Sequence, residues 1–155
     1  MEIRIFRPED ADELAEMIAK TLLTSNGKDY SKAYLEGIIA SYSAEHLRKE
    51  ALTGHVYVAC EGERIVGCGA IAPLMGSACE SILRTFFVLP KAQGQGIGRR
   101  LLHSVEQDEY FLRARRVELH ASITAVEFYR KMGYAYKGGI ARLDEEQLYR
   151  MEKYR

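Results

Sequence analysis

The sequence has no tryptophan, only three prolines and only three cysteines among its 155 residues. An odd number of cysteines cannot pair into a closed disulfide framework, and Cys60, Cys68 and Cys79 are too widely spaced for a Cys-x-x-Cys metal knuckle. We therefore expect small buried cysteines in a reducing compartment, and no metal. The chain also lacks any run of about 18 apolar residues and an apolar signal segment at its N-terminus, so we expect a cytoplasmic protein with no membrane partner.

Neither sign of charge dominates, because 22 lysines and arginines balance 22 aspartates and glutamates. A formal net charge of zero gives no global field that would attract nucleic acid or an anionic membrane, so we expect neither partner. The length fits one domain, residues 1–155, that buries about 70% of its unfolded surface.

Hydrophobic spacing predicts a single α/β (α+β) domain with a mixed sheet. The predicted strands cover residues 2–7, 55–60, 64–72, 80–89, 116–120, 134–136 and 147–154. The predicted helices cover residues 10–22, 34–42, 43–52, 97–112 and 122–132. Asp10, Ser43 and Ser122 are the expected N-caps, and Gly133 is expected to end the last helix.

The most informative segment leads from a predicted strand through Pro90 into three glycines at alternate positions, Gly94, Gly96 and Gly98. An amphipathic helix follows, with Arg99 and Arg100 in its first turn. Backbone N–H groups at a helix N-terminus have no intrahelical partners and bind anions, and glycine lets the backbone approach a ligand closely. The segment therefore predicts a phosphate-binding loop.

Two common nucleotide-binding motifs fail at this loop. A Walker loop ends in Gly-Lys-Ser/Thr, whereas Gly98 is followed by Arg99 and Arg100. A dinucleotide fingerprint that began at Gly94 would need a glycine where Arg99 stands. The phosphate ligand is therefore expected to belong to another class.

The pattern Gln93-x-x-Gly96-x-Gly98, preceded by Phe86-Phe-Val-Leu-Pro90, resembles the signature of the GNAT family, the Gcn5-related N-acetyltransferases. The segment Ala125-Val-Glu-Phe-Tyr-Arg-Lys-Met-Gly-Tyr134 is similar to the second motif of that family. The resemblance covers essentially the whole chain. It implies the GNAT fold, a mixed sheet of about six to seven strands flanked by about four to five helices and splayed where acetyl-CoA binds.

The resemblance implies that acetyl-CoA lies between the strands at residues 80–89 and 116–121. The amide-rich pantetheine arm would pair with the backbone around Phe86 and Val88 like an added strand. The pyrophosphate would contact the backbone of residues 94–99, and Arg100 or Lys91 would meet the 3′-phosphate. The implied cofactor-binding residues are Phe86, Val88, Gln93, Gly94, Gln95, Gly96, Gly98, Arg99, Arg100, Ser122 and Tyr129. An alternative for the arginines is that they lie on a solvated helix face and bind nothing. Ser122 stands where the family often has asparagine, and its alternative role is that of a helix cap alone.

Tyr129 matches the tyrosine that protonates the departing thiolate in the family, and a phenol with a pKa of about 10 keeps its proton at neutral pH. Packing in the core is the alternative role for this side chain. The residue that takes the proton from the amine is less defined. Glu80, acting directly or through water, is the first candidate, since the family's glutamate position nearer the middle of this strand holds Ile82 and Arg84, and His120 is the second. A salt bridge at the rim or a capping role is the alternative.

We expect an acetyl-CoA-dependent N-acetyltransferase that moves the acetyl group directly to the amine of a small molecule or peptide in a ternary complex. A non-catalytic acyl-CoA-binding regulator of the same fold and a protein–protein adaptor are the alternatives. Homodimerisation through the terminal strands is left open. Substrate choice is expected in the helical first third and in the loops 73–76 and 137–142, with Tyr30, Tyr34, Tyr42, His46 and His55 as candidate lining residues.

Overall fold

The computed structural model describes residues 1–155 and contains one seven-stranded mixed sheet and six α-helices. The strands are β1 (Glu2–Ile5), β2 (His55–Glu61), β3 (Arg64–Pro73), β4 (Glu80–Val88), β5 (Arg116–Ala121), β6 (Ala135–Tyr136) and β7 (Tyr149–Tyr154). The helices are α1 (Ala11–Ser25), α2 (Lys32–Ser41), α3 (Ala44–Thr53), α4 (Ile97–Val105), α5 (Glu109–Leu112) and α6 (Val126–Lys131). The predicted fold class is confirmed. None of the helices combines the length and the apolar composition needed to cross a membrane.

The sheet consists of two antiparallel parts joined by one short parallel pairing. The strand order is β1-β2-β3-β4-β5-β7-β6, and only β4 and β5 run parallel. Their pairing extends from Glu80 opposite Arg116 to Leu83 opposite Leu119 and ends there. The second half of β4 therefore has no partner on the side of β5.

Helices cover the two faces of the β3–β4 region. Gly67 of β3 lies under α4, because a Cβ at this position would be 2.9 Å from Leu101 and 3.3 Å from Ile97. Successive side chains of a strand point to opposite faces, so Cys68 faces the other side, where Glu50 of α3 approaches. The absence of a side chain at Gly67 thus lets α4 pack directly on the sheet.

Two local predictions are confirmed and a third is not. Ser43 caps α3 by accepting a hydrogen bond from the backbone N–H of His46 at 3.1 Å. The Ser122 hydroxyl accepts a hydrogen bond from the N–H of Ala125 at 3.1 Å, but α6 begins at Val126 with Ala125 as its N-cap residue, so Ser122 closes the preceding turn and does not cap the helix. Gly133 follows α6 with a φ of 96°, a left-handed conformation that favours glycine.

The predicted N-cap at Asp10 is right in position, since this residue directly precedes α1, but wrong in the role of its side chain. Residues 8–10 form a 3-10 turn, and the Asp10 carboxylate accepts hydrogen bonds from Arg4 at 2.8 and 3.0 Å and from the N–H of Arg7 at 2.7 Å. The hydrogen bonds of this side chain therefore stabilise the turn that precedes α1, and the side chain makes no capping hydrogen bond to that helix.

The predicted helix over residues 97–112 is also wrong in its second half. The helix ends at Val105, and Asp108 starts the separate short helix α5 by accepting a hydrogen bond from the N–H of Tyr110 at 2.8 Å. Leu112 consequently lies 52% exposed rather than inside the core. An aspartate that can cap a new helix favours a break over continuation.

A network of ion pairs crosses the sheet at the base of the β4–β5 pairing. Arg116 of β5 binds Glu80 of β4 at 3.0 Å, Glu152 of β7 at 2.8 Å and its neighbour in the strand, Glu118. These contacts join the first half of the sheet to the second, because each glutamate lies on a different strand.

Glu118 has two further partners, His120 at 2.8 Å and Lys137 at 2.9 Å. Burial disfavours its charge, but hydrogen bonds from His120, Lys137 and Arg116 outweigh that penalty and lower the pKa of Glu118 to about 2. The folded state therefore favours the ionised carboxylate more than the unfolded chain does.

This low pKa of Glu118 predicts acid sensitivity of the fold. Because an unfolded glutamate has a pKa of about 4.3, the stabilisation from Glu118 is complete above that pH and is lost as pH falls through the interval toward about 2. We expect the melting temperature, followed by circular dichroism, to fall between about pH 5 and about pH 3. The fall should be smaller in Glu118→Gln, and equal falls in both proteins would contradict this role.

Candidate functional site

A cleft of about 710 Å³ opens where β4 and β5 separate. Its walls are the second half of β4, the glycine loop, the end of β5 and α6, with α2 on the remaining side. Among the sequence-predicted site residues, the cleft is lined by Phe86, Val88, Gln93, Gly94, Gly96, Gly98, Arg99, His120, Ser122 and Tyr129. Gln95, Arg100 and Glu80 do not line it.

The separation of the strands follows from a β-bulge in β4. Cys68 of β3 pairs with Phe87 and Ala70 pairs with Arg84, so Thr85 and Phe86 together oppose Gly69. Thr85 has a φ of 62°. A bulge of this kind bends its strand, so the residues after it are directed away from β5.

Gly69 is required opposite the bulge. A Cβ on this residue would be 2.5 Å from the ring of Phe86, a distance that real Cβ atoms do not reach. The far end of the Phe86 ring therefore lies directly against the bare backbone of β3. On its other side it makes an edge contact with Tyr129 of α6, with ring centroids 6.3 Å apart.

The glycine loop has the conformation expected of an anion-binding loop. Gly94 and Gly96 have φ values of 79° and 80°, and Gly98 lies in the first turn of α4. The N–H of Arg100 is bonded to the carbonyl of Gly96, so the N–H groups of residues 97–99 are those left free at the helix N-terminus. These groups, with the positive end of the helix dipole, can hold a phosphate oxygen.

The side chain of Gln93 has a structural role that the sequence did not indicate. Its amide nitrogen donates to the carbonyl of Val88 at 2.9 Å and to the hydroxyl of Ser25 at 2.8 Å. Its backbone N–H is also bonded, to Pro90 at 3.3 Å. Gln93 therefore ties the loop to β4 and α1, and both hydrogens of its side-chain amide are engaged within the protein.

Positive charge lies at the mouth of the cleft. Arg99 lines it, whereas Arg100 and Lys91 are exposed beyond it and form no ion pair.

Tyr129 is 7% exposed and lies between Phe128 and Tyr134, with ring centroids 5.2 and 6.2 Å away. Burial, and then the proximity of Tyr42 and Cys68, raise the pKa of Tyr129 well above its usual value. The phenol therefore keeps its proton at neutral pH. A protonated hydroxyl that borders the cleft can donate to a ligand or to a leaving group.

The structure corrects the assignment of Glu80. This residue begins β4, six residues before Phe86, which corresponds to about 20 Å of extended strand at roughly 3.3 Å per residue. Its carboxylate is bound by Arg116 at 3.0 Å. Glu80 therefore belongs to the ion-pair network and cannot reach a group in the cleft.

His120 remains a candidate. It lies at the end of β5 and lines the cleft, and its Nε2 is 2.8 Å from Glu118. Its Nδ1 makes no hydrogen bond, so one ring nitrogen is available to a ligand.

The predicted lining tyrosines are in the cleft, but two predicted histidines are not. Tyr30 and Tyr34 of the α2 region stack at 4.8 Å and donate their hydroxyls to the carbonyls of Gln147 and Glu146, which closes the cleft on that side. His55 instead binds Asp108 at 2.8 Å, away from the cleft.

Sequence reasoning missed a polar cluster behind the bulge. The Thr85 hydroxyl donates to Glu50 at 2.6 Å, and the other carboxylate oxygen of Glu50 lies 3.1 Å from Nε2 of His46. Glu50 is 6% exposed although it belongs to the polar helix α3. Its i, i+4 spacing from His46 was the only signal in the sequence, and such a pair usually lies on a solvated helix face.

The comparisons with known proteins agree with this arrangement. The family model described as Acetyltransferase (GNAT) domain matches residues 53–136. An IAA acetyltransferase of Azospirillum brasilense is 36% identical over 84 residues, which are 52% of this chain and 54% of that protein. The chain thus spans about half the length of the curated relative that it matches.

Solved structures show the same fold. The PaiA N-acetyltransferase of Thermoplasma acidophilum in complex with coenzyme A has a TM-score of 0.83 at 20% identity, with all of both chains covered. A GCN5-related N-acetyltransferase of Rhodopseudomonas palustris has a TM-score of 0.79 at 22% identity, with 99% and 94% covered. An aminoglycoside 6′-N-acetyltransferase complexed with coenzyme A has a TM-score of 0.73 at 18% identity, with 99% and 97% covered.

The glycine loop predicts a contrast between two alanine substitutions. Gly96→Ala places a side chain at a φ of 80° and should lower the free energy of unfolding by about 1–2 kcal/mol, measured in urea. Gly98→Ala should leave it unchanged or slightly raised, because the new Cβ would lie 3.5 Å from Phe128 in ordinary contact within a helix. Equal destabilisation by both would refute the loop conformation.

Proposed function

Because the chain belongs to the GNAT family of acetyltransferases, we propose that residues 1–155 form one acetyl-CoA-dependent N-acetyltransferase domain. The acetyl group would pass directly to the amine of a small molecule or peptide in a ternary complex. One observation carries the proposal. The unpaired half of β4, the N-terminus of α4 and the buried phenol of Tyr129 all border one cleft.

The cleft and its mouth suit successive parts of acetyl-CoA. The pantetheine arm carries two amide groups, and the backbone of β4 from Phe86 to Val88 has no strand partner toward β5, so the arm can pair there as an added strand. The pyrophosphate matches the free N–H groups of α4 and the charge of Arg99. Arg100 and Lys91, exposed beyond the mouth, suit the 3′-phosphate.

The chemistry needs a proton donor for sulfur. The amine nitrogen attacks the carbonyl carbon of the thioester, a C–N bond forms, and the C–S bond breaks with its electron pair going to sulfur. Tyr129 donates its proton to that sulfur and receives one in turn from the nitrogen, which has become an amide. Its raised pKa keeps the phenol protonated before each turnover.

The exclusion of Glu80 favours a second candidate function, a non-catalytic regulator that binds acyl-CoA. Both functions require the ligand to bind, so binding alone does not separate them. Release of free CoA in the presence of an amine separates them, because only the enzyme transfers the acetyl group.

Acetyl-CoA should stabilise the protein. A ligand at about 100 times its Kd adds about 2.7 kcal/mol to folding, which is roughly 5–10 °C in melting temperature for a domain of this size. Arg99→Gln should reduce this shift because Arg99 lines the cleft. The control Arg130→Gln should leave the shift in melting temperature unchanged, because Arg130 lies outside the cleft and pairs with Glu127 at 3.0 Å. If the wild type shows no shift, both candidate functions fail.

Tyr129→Phe should lower kcat about 100-fold or more, because sulfur then leaves without a proton donor, while acetyl-CoA affinity stays within about twofold. The assay measures thiol release with kanamycin, spermidine, tyramine and a tripeptide with a free α-amino group. Tyr134→Phe is the matched control, since its hydroxyl binds Glu106 at 2.9 Å outside the cleft.

Full activity of Tyr129→Phe would disprove the acid assignment. If the wild type binds acetyl-CoA and releases no thiol with any of the four amines, the regulator becomes the better interpretation.

A further inference from the structure

Glu50 carries a buried carboxylate, and the proposed binding of acetyl-CoA does not explain why it is buried. Charged side chains are seldom buried without partners, and the partners of Glu50 form a defined set. Thr85 donates to its Oε1 at 2.6 Å, and Nε of Arg84 is 3.9 Å from the same oxygen. Its Oε2 lies 3.1 Å from Nε2 of His46, one turn earlier on α3.

Two more titratable groups face Glu50 from other elements, Tyr42 at the end of α2 and Cys68 of β3. Burial, followed by the charge of Glu50, raises the pKa of Tyr42 to about 12 and that of Cys68 well above its usual value. Both groups therefore keep their protons at neutral pH. Among Tyr42, Thr85, Cys68 and Glu50, the carboxylate of Glu50 is the group that can accept a proton.

The cluster reaches from the cleft to solvent. Tyr42 and Thr85 line the cleft, and their hydroxyls lie within reach of each other. The Tyr42 hydroxyl also lies near that of Tyr129, which contributes to the raised pKa of Tyr129. At the other end, the side chain of His46 is 49% exposed while that of Glu50 is 4% exposed.

We infer that Glu50 receives the proton of the acceptor amine through Tyr42 and Thr85, and that His46 passes it to solvent. This inference rests on the proposed acetyltransferase function. An ammonium acceptor loses two protons in becoming an acetamide. One replaces the proton that Tyr129 gives to sulfur, and the other must leave before the nitrogen can attack.

The transfer balances without any added reactant. The ammonium gives a proton to the Tyr42 oxygen as the Tyr42 proton moves to Thr85 and the Thr85 proton moves to Glu50. The nitrogen keeps its electron pair and becomes a nucleophile. Rotation of the protonated Glu50 carboxyl group then brings this proton from the Thr85 side to Nε2 of His46, and the two hydroxyls turn back to their starting orientation.

His120 is the competing base, and its position makes it the weaker one. Its ring is held by Glu118 on β5, in the ion-pair network, and no hydrogen-bonded chain leads from it toward Tyr129. Thr85, in contrast, belongs to the bulge of the strand on which the thioester would lie.

The test compares Glu50→Gln with wild type, using whichever of kanamycin, spermidine, tyramine and the tripeptide gives the fastest thiol release. Glutamine can still accept the Thr85 hydrogen bond but cannot take a proton. We expect kcat to fall about 100-fold at pH 7, with KM for acetyl-CoA unchanged. The deficit should shrink steadily toward about pH 9.5, because more of the amine then enters already deprotonated.

Three further variants keep the test decisive should Glu50→Gln unfold. Tyr42→Phe should reproduce the pH-dependent deficit, and Glu45→Gln, which removes an exposed carboxylate of the same helix α3, should remain near wild type. His120→Gln should show no such deficit.

A deficit that is the same at every pH, or a raised KM for acetyl-CoA, would mean that Glu50 only supports the bulge. A pH-dependent deficit in His120→Gln with none in Glu50→Gln would assign the proton to His120. Either result overturns the relay but leaves the acetyltransferase itself intact, whereas the absence of turnover in the wild type would refute the proposed function.

Discussion

The site depends on the backbone conformation of Thr85. A β-branched residue at a φ of 62° is strained, by about 1–3 kcal/mol, and persists only where its surroundings enforce it. Here the hydroxyl is held by Glu50 from one face, and the next residue, Phe86, is packed against the bare backbone of Gly69. These contacts fix the bulge, and the bulge ends the pairing of β4 with β5 after Leu83.

The other parts of the cleft are arranged around that divergence. Gln93 ties the glycine loop to the carbonyl of Val88, so the N-terminus of α4 keeps a fixed position relative to the unpaired strand. Tyr129 rests against Phe86, so the phenol is placed by the same bulged segment. The binding of acetyl-CoA, the position of the general acid and the relay through Glu50 thus all depend on the bulge at Thr85. Loss of the bulge would disturb all three, whereas loss of the Arg116 network would first weaken the junction of the two sheet halves.

Features set by local sequence could be predicted, and features set by distant contacts could not. The alternating glycines, the cap at Ser43 and the two motifs are local, so the element order and the loop followed from residue spacing, and the position of Tyr129 followed from the resemblance to the second motif of the family. Glu80 was misplaced because strand periodicity gives the face of a residue but not the point at which its strand leaves its neighbour. Nothing in the sequence marks a threonine for positive φ, and its partner Glu50 lies 35 residues away. The burial of Glu50 and its contact with Thr85 therefore could not be predicted before the fold was known.

The most direct test of the divergent strands as the acetyl-CoA site is amide hydrogen exchange, measured with and without acetyl-CoA and read from peptides across the chain. Binding between the strands should slow exchange in the segment from Phe86 to Arg99 and in the first turn of α6, because the ligand would occupy free N–H groups there. Exchange in β1, which lies at the far edge of the sheet, should not change. Unchanged exchange between Phe86 and Arg99 at saturating acetyl-CoA, or protection confined to other segments, would contradict this site.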